Sequence, residues 1–382
     1  MTTHRIDAAK RIVPVDAARG SVMLFSCLAH FAWWIHGTYP AAGDTLAAIG
    51  MVATPTFLMT SGAMVGMLCA KAARHGGDLK SQLFNRGLFL LTVGHLLIAL
   101  AEAHVGGGLI GKLRNITVVD EIGLCTLVAA LLIPQIGNEQ TCRRLSQIAV
   151  VVLGVAWLMN LFWAPPLGLP TDLDESLVGG NALAPAIFRH TPVIQHLAIY
   201  VIGFTVGHYF ARSSQQQVPM RDIAARFVAS GGALVFAALA LRLVRALLDG
   251  LDVTDTTALD ISTTITAKVP PSPAYLLFFG GCGLLLVGLM FRAGASPRPA
   301  AKAAVEWLAV IGRASLVVFI LQYFLYWTLP DLIDVHPNRW CLVYFVVNVL
   351  LIRLVAGMWG KLGGNRYLTF GIKLGVQRAL VP

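Results

Sequence analysis

Ten apolar runs, each near the roughly 20 residues that cross a bilayer, decide what this chain can fold into. They fall at about 14–37, 45–70, 84–103, 117–136, 145–164, 192–211, 223–247, 273–292, 303–328 and 340–360. Hydrocarbon offers backbone groups no water, so a run of this length is stable there only as a helix. The expected fold is all-α: a polytopic membrane bundle of about ten transmembrane helices, forming a single domain over 1–382. The chain is 57% hydrophobic and 13% charged, whereas soluble domains carry about 25% charged residues. Its mean hydropathy is +0.72. No cleavable signal peptide is expected, because residues 1–11 are polar and the apolar run behind them is too long.

The net charge of +10 does not point to nucleic acid, because in a membrane protein basic residues collect in the cytoplasmic loops. One set of alternate connections holds Arg5, Lys10, Arg11, Lys71, Arg74, Lys80, Arg143, Arg144, Arg212, Arg221, Arg298, Lys302, Lys361, Arg366, Lys373 and Arg378. The opposite set holds Lys112, Arg114, Arg189, Lys268 and Arg339. The asymmetry places both termini in the cytoplasm, as does the even number of spans. Two long loops, about 165–191 and 248–272, then lie outside and carry acidic clusters. The six cysteines form no CxxC pair, so neither a disulfide framework nor a metal site is expected.

Ionisable groups inside a span are costly and are therefore functional candidates. The first run carries three: Asp16, Arg19 and His30. At about 100° per residue, His30 falls within roughly 20° of Arg19 and roughly 40° of Asp16, and about 16 Å deeper than Arg19. Asp16 follows Pro14 in the first helical turn, where it can also cap free N–H groups. In the second run Pro55 should kink the helix, while Ser61-Gly62 offers a hydroxyl beside a close-packing residue. Glu102 and His104 end the third run at the level where Asp120 and Glu121 open the fourth; such a cluster suits a hydroxyl-rich acceptor or a wet interface. Gln195 and His196 open the sixth, lining a vestibule or capping a helix. Arg313, about ten residues from either end of the ninth run, should pair with an acid or an anionic ligand. Gln322 lies nine residues on, which on one continuous helix puts it on the opposite face and toward a different neighbour.

Asp16-Ala17-Ala18-Arg19-Gly20 followed by His30 resembles the first helix of the membrane acyltransferase-3 superfamily. Residues 57–62, ending in Ser61-Gly62, are similar to its second motif. Gly312-Arg313-Ala314-Ser315-Leu316 with Gln322, and Asp120 with Gly123, resemble the OpgC-like and heparan-α-glucosaminide N-acetyltransferase-like branches. The sequence departs from the pattern where a basic pair is reduced to Arg86, and where Gln322 replaces a late-helix His.

The resemblance implies an acyltransferase that moves an acyl group, typically acetyl, from cytosolic acyl-CoA to a glycan or other envelope acceptor. Transfer to oxygen is the first expectation. No metal is implied. Arg19, Arg86, Lys71, Arg74 and Arg313 would hold the acyl-CoA. His30 would act as base or acyl carrier, with Asp16 orienting Arg19 and Ser61 donating to the thioester carbonyl. The roughly 16 Å from Arg19 to His30 matches the reach of an extended pantetheine arm. Glu102, His104, Asp120, Glu121, Gln322 and Trp34 would meet the acceptor. The setting implied is a bacterial-type cytoplasmic membrane, with membrane lipid and a glycan or lipid-linked glycan as partners, no nucleic acid, and a homo-oligomer left open. A transporter or flippase is the alternative, against which stands the lack of an internal repeat. A receptor subunit is a third class, and it leaves the buried His30 unexplained.

Overall fold

The computed structural model describes residues 12–75, 79–103, 108–114, 116–132, 139–162, 193–249, 262–268 and 271–364, with the side chains of 71–75, 139, 159–162 and 249 outside that description. In chain order the helices are α1 (Val13–His36), α2 (Pro40–Gly50), α3 (Ala53–His75), α4 (Leu79–Phe89) and α5 (His95–Glu102). There follow α6 (Gly108–Leu113), α7 (Val118–Leu132), α8 (Glu139–Phe162), α9 (Val193–Gln215) and α10 (Met220–Asp249). The last are α11 (Pro273–Gly294), α12 (Pro299–Arg313), α13 (Ser315–Tyr323), α14 (Leu329–Leu332) and α15 (Cys341–Lys361). π-helical turns at Leu90–Gly94 and Phe324–Thr328 join α4 to α5 and α13 to α14. Among the described residues there is no strand, and the architecture is an all-α polytopic membrane bundle.

Nine stretches among the described residues are long and apolar enough to cross a membrane. They overlap nine of the ten runs read from the sequence, the ninth only over its second half. The remaining run forms α1, whose 24 residues span about 36 Å. It lies inside the bundle. It packs most extensively on α12 and α2, and also meets α3, α11, α13 and α15. From Pro14 to Met23 every α1 residue is buried, Asp16 and Arg19 included. By contrast α15 buries only Asn348, Ile352 and Ala356 and turns its leucines outward, as a helix facing lipid does.

Two runs expected as single helices are broken. The second divides at Met51-Val52, so Pro55 falls in the first turn of α3, where its missing N–H costs nothing. The bend therefore precedes the proline. The ninth run breaks at Ala314, whose φ of −106° and ψ of 24° are not helical.

Candidate active site

Two glycines set the geometry. A Cβ on Gly312 would lie 1.8 Å from the Asp16 carbonyl oxygen, and one on Gly20 would lie 1.9 Å from the Leu308 carbonyl oxygen. Only glycine at both positions lets α1 and α12 cross backbone to backbone. The crossing sets Arg313 Nε 3.5 Å from the Asp16 carboxylate, while Arg313 Nη2 donates to Glu306 at 3.1 Å. It also sets Arg19 Nη2 to donate to Ser315 Oγ at 2.5 Å.

Beyond the break, α13 runs beside α1 in the same direction. Gln322 Nε2 donates to Ser26 Oγ at 3.0 Å, and the His30 ring packs against Tyr323 at 4.6 Å and Trp327 at 5.8 Å between centroids. Arg313 and Gln322 thus both face α1, contrary to the expectation that they face different neighbours. The break at Ala314 resets the helical phase between them, so counting 100° per residue across it fails.

Toward the end of the bundle where α1 begins, Arg19, Ser61, Arg86 and Ser315 line one cleft, walled by Phe57, Leu90, Val119, Ile122, Leu316 and Phe319. The polar members come from α1, α3, α4 and α13. Arg86 also lies within electrostatic reach of the Tyr200 hydroxyl. On α3, Ser61 reaches the cleft because its neighbour Gly62 faces α9, where a Cβ would meet the Tyr200 carbonyl oxygen at 2.0 Å. Close packing is therefore the role of Gly62. Lys71 and Arg74 ride the last turns of α3, with side chains outside the described residues.

Two or three turns further along α1 the polar groups change character. His30 Nδ1 is enclosed and has no hydrogen-bond partner among the described residues, and the same is true of Gln322 Oε1. The two side chains face one another. Glu102 pairs with Lys112 at 3.5 Å, and Lys112 lies 5.8 Å over the Trp327 ring, which also touches His30. Asp120 accepts from the Thr117 N–H at 2.6 Å and the Thr117 hydroxyl at 2.8 Å, closing the first turn of α7, and meets His95 Nδ1 at 2.9 Å. Glu121 is held by His196 Nδ1 at 2.6 Å, both groups buried. Lys268, in the connection before α11, lies within electrostatic reach of both His30 and Glu121. Burial pulls its amine below the ordinary lysine range, with Glu121 opposing.

The structure thus gathers Arg19, Arg86 and Ser61 in one cleft. It gathers His30, Gln322 and Glu102 around the Tyr323–Trp327 rings, and places Asp16 and Arg313 in a network beside the cleft. Trp34 stands apart, packed on Tyr344 at 4.9 Å and Phe31 at 6.0 Å between centroids. His104 lies outside the described residues. Ser315, Ser26, His95, Tyr323, Trp327 and Lys268 join the site without having been expected there. Lys268 alone carried a signal, as one of the few basic residues on its side of the chain.

Residues 11–235 match the family described as heparan-alpha-glucosaminide N-acetyltransferase, catalytic. No curated protein matches the chain.

Proposed function

Because the chain belongs to the heparan-alpha-glucosaminide N-acetyltransferase family, a family of membrane acetyltransferases, we propose that it carries an acetyl group from acetyl-CoA to the amino group of an amino sugar. The family's description names transfer to nitrogen on a glucosaminide, so an amine takes precedence over the hydroxyl expected from the sequence.

One observation carries the reading. Arg19 and Arg86 converge on a single cleft, and His30 lies on the same helix as Arg19, about 16 Å along it. Guanidinium groups suit phosphate oxygens, and a phosphate at Arg19 puts the thioester of an extended pantetheine arm near His30. Lys71 and Arg74, on the last turns of α3, would hold the nucleotide on the cytoplasmic side, and the acceptor would enter from the opposite face.

His30 is placed for base or nucleophilic catalysis. Gln322, whose side chain faces His30 and whose Oε1 is unpaired, would accept from the His30 Nδ1–H. That bond fixes the tautomer and leaves the Nε2 lone pair free to take a proton or to attack the acyl carbon. Ser61 and Ser315, which line the same cleft as Arg19, would offer hydroxyls to the carbonyls of the bound arm.

The test is thiol release from acetyl-CoA by purified protein in nanodiscs, wild type beside His30→Ala. Release by wild type with an amino-sugar acceptor, lost in His30→Ala while CoA still binds, supports the reading. Failure of well-folded wild type to bind CoA or acetyl-CoA overturns it.

A further inference from the structure

We propose that the acceptor is received at a second polar centre, the Glu121–His196 pair with Gln195 beside it, and that His196 takes the acceptor's proton while His30 serves the acyl group. The inference rests on the acetyl-transfer reading above.

The pair is built as a base and its holder. Glu121 on α7 and His196 on α9 meet at 2.6 Å, with side-chain exposures of only 2% and 6%. The carboxylate holds Nδ1 of the imidazole, so the proton sits there and the Nε2 lone pair is left to act. That second nitrogen lies on the far side of the ring from the carboxylate. His30 lacks such a holder, its Nδ1 being unpaired.

Gln195 supplies an independent sign of a ligand. It is 2% exposed, yet its carbonyl oxygen and its amide nitrogen both lack partners among the described residues. Buried amides are nearly always hydrogen-bonded, and an unpaired one presents a donor and an acceptor to something polar. An amino sugar offers the complementary hydroxyls and amine. Lys268 acts electrostatically on both Glu121 and His30, and α3 packs against α1, α7 and α9, the helices that carry the two centres.

In the step this assigns, the acceptor ammonium gives one proton to His196 Nε2, and Glu121 stabilises the imidazolium. The neutral amine then attacks the acetyl carbonyl carbon. The carbon–nitrogen bond forms, the carbon–sulfur bond breaks with its electron pair on sulfur, and the second amine proton passes through His30 to the thiolate. The products are the amide, the free thiol and one proton later shed by His196. His196 is the catalytic residue here and Glu121 a positioning residue acting through it.

The experiment compares two acceptors in nanodiscs: glucosamine, which must lose a proton before it attacks, and hydroxylamine, already neutral at neutral pH. The double variant Glu121→Gln/His196→Gln removes the charge and keeps a hydrogen-bonded amide pair, so no lone ion is left buried. Glucosamine transfer should fall about 100-fold or more, CoA affinity should hold, and hydroxylamine transfer should survive. An equal fall for both acceptors, or no fall for glucosamine, overturns the proposal. Should the double variant not fold, Gln195→Leu decides: the KM for glucosamine should rise about tenfold with kcat held, and an unchanged KM overturns the proposal. Wild type that transfers to neither acceptor sinks the acetyl-transfer reading itself, a result distinct from either of these.

Discussion

Arg19 donates to Ser315 across 296 residues of sequence, and Gln322 donates to Ser26 across the same separation. The equal offset means that α1 and α13 advance together, residue for residue. Arg19, Ser26 and His30 on one helix are matched by Ser315, Gln322 and the Tyr323–Trp327 rings on the other. A donor bound at Arg19 would therefore run along a seam that two helices define jointly.

The seam depends on the glycine crossing below it. Gly312→Ala puts a methyl group 1.8 Å from a backbone oxygen, which only a shift of α12 away from α1 relieves. Overpacking of this kind costs about 1–3 kcal/mol. Thermal melting in nanodiscs should show that loss, and isothermal titration should show weaker CoA binding because Ser315 moves away from Arg19. Wild-type values for both would mean that the crossing does not place the cleft.

Arg19→Gln should weaken acetyl-CoA binding by about 10- to 100-fold, the scale of one charge-assisted contact of roughly 1.5–3 kcal/mol. Arg19→Lys should recover only part of it, because a single ammonium cannot offer two parallel donors to a phosphate. Equilibrium binding of labelled CoA checks both, and full recovery by lysine would argue for a simple point charge.

Gln322→Leu keeps the approximate size of the side chain but removes the unpaired acceptor of a side chain that faces His30. Steady-state kinetics should show kcat down about tenfold, a share of the general-base contribution, with CoA affinity unchanged. A change confined to KM would place Gln322 in binding instead.

Lys268 predicts a pH dependence of stability. Its folded-state pKa lies below the ordinary lysine value because burial disfavours the ammonium. Between the lowered value and about 10.4 the unfolded chain binds more protons than the native state, so native stability rises with pH through that window. Below it the penalty is complete. Lys268→Met should therefore melt at a higher temperature than wild type at neutral pH, and the gap should close as pH approaches the lysine range. Calorimetry of both proteins at several pH values checks the sign, and a gap that widens with pH would contradict it.

The set of spans and the contents of α1 were legible in the residues alone. Nine runs carry enough apolar residues to announce membrane helices. Asp16, Arg19 and His30 were legible because charge inside an apolar stretch is costly enough to need a reason, and their common face followed from one unbroken helical period. Periodicity is a local property, and it failed where the helix did. No pattern announced the break at Ala314, so the shared seam of Arg313 and Gln322 with α1 was invisible. Pairings between distant helices were equally hidden. Arg19 with Ser315, Glu121 with His196 and Lys268 near His30 depend on how α1, α7, α9 and α12–α13 pack. That packing is decided by close approaches such as Gly20 against Leu308 and Gly62 against Tyr200. A glycine in a sequence does not say which backbone it lets in; only the folded bundle does.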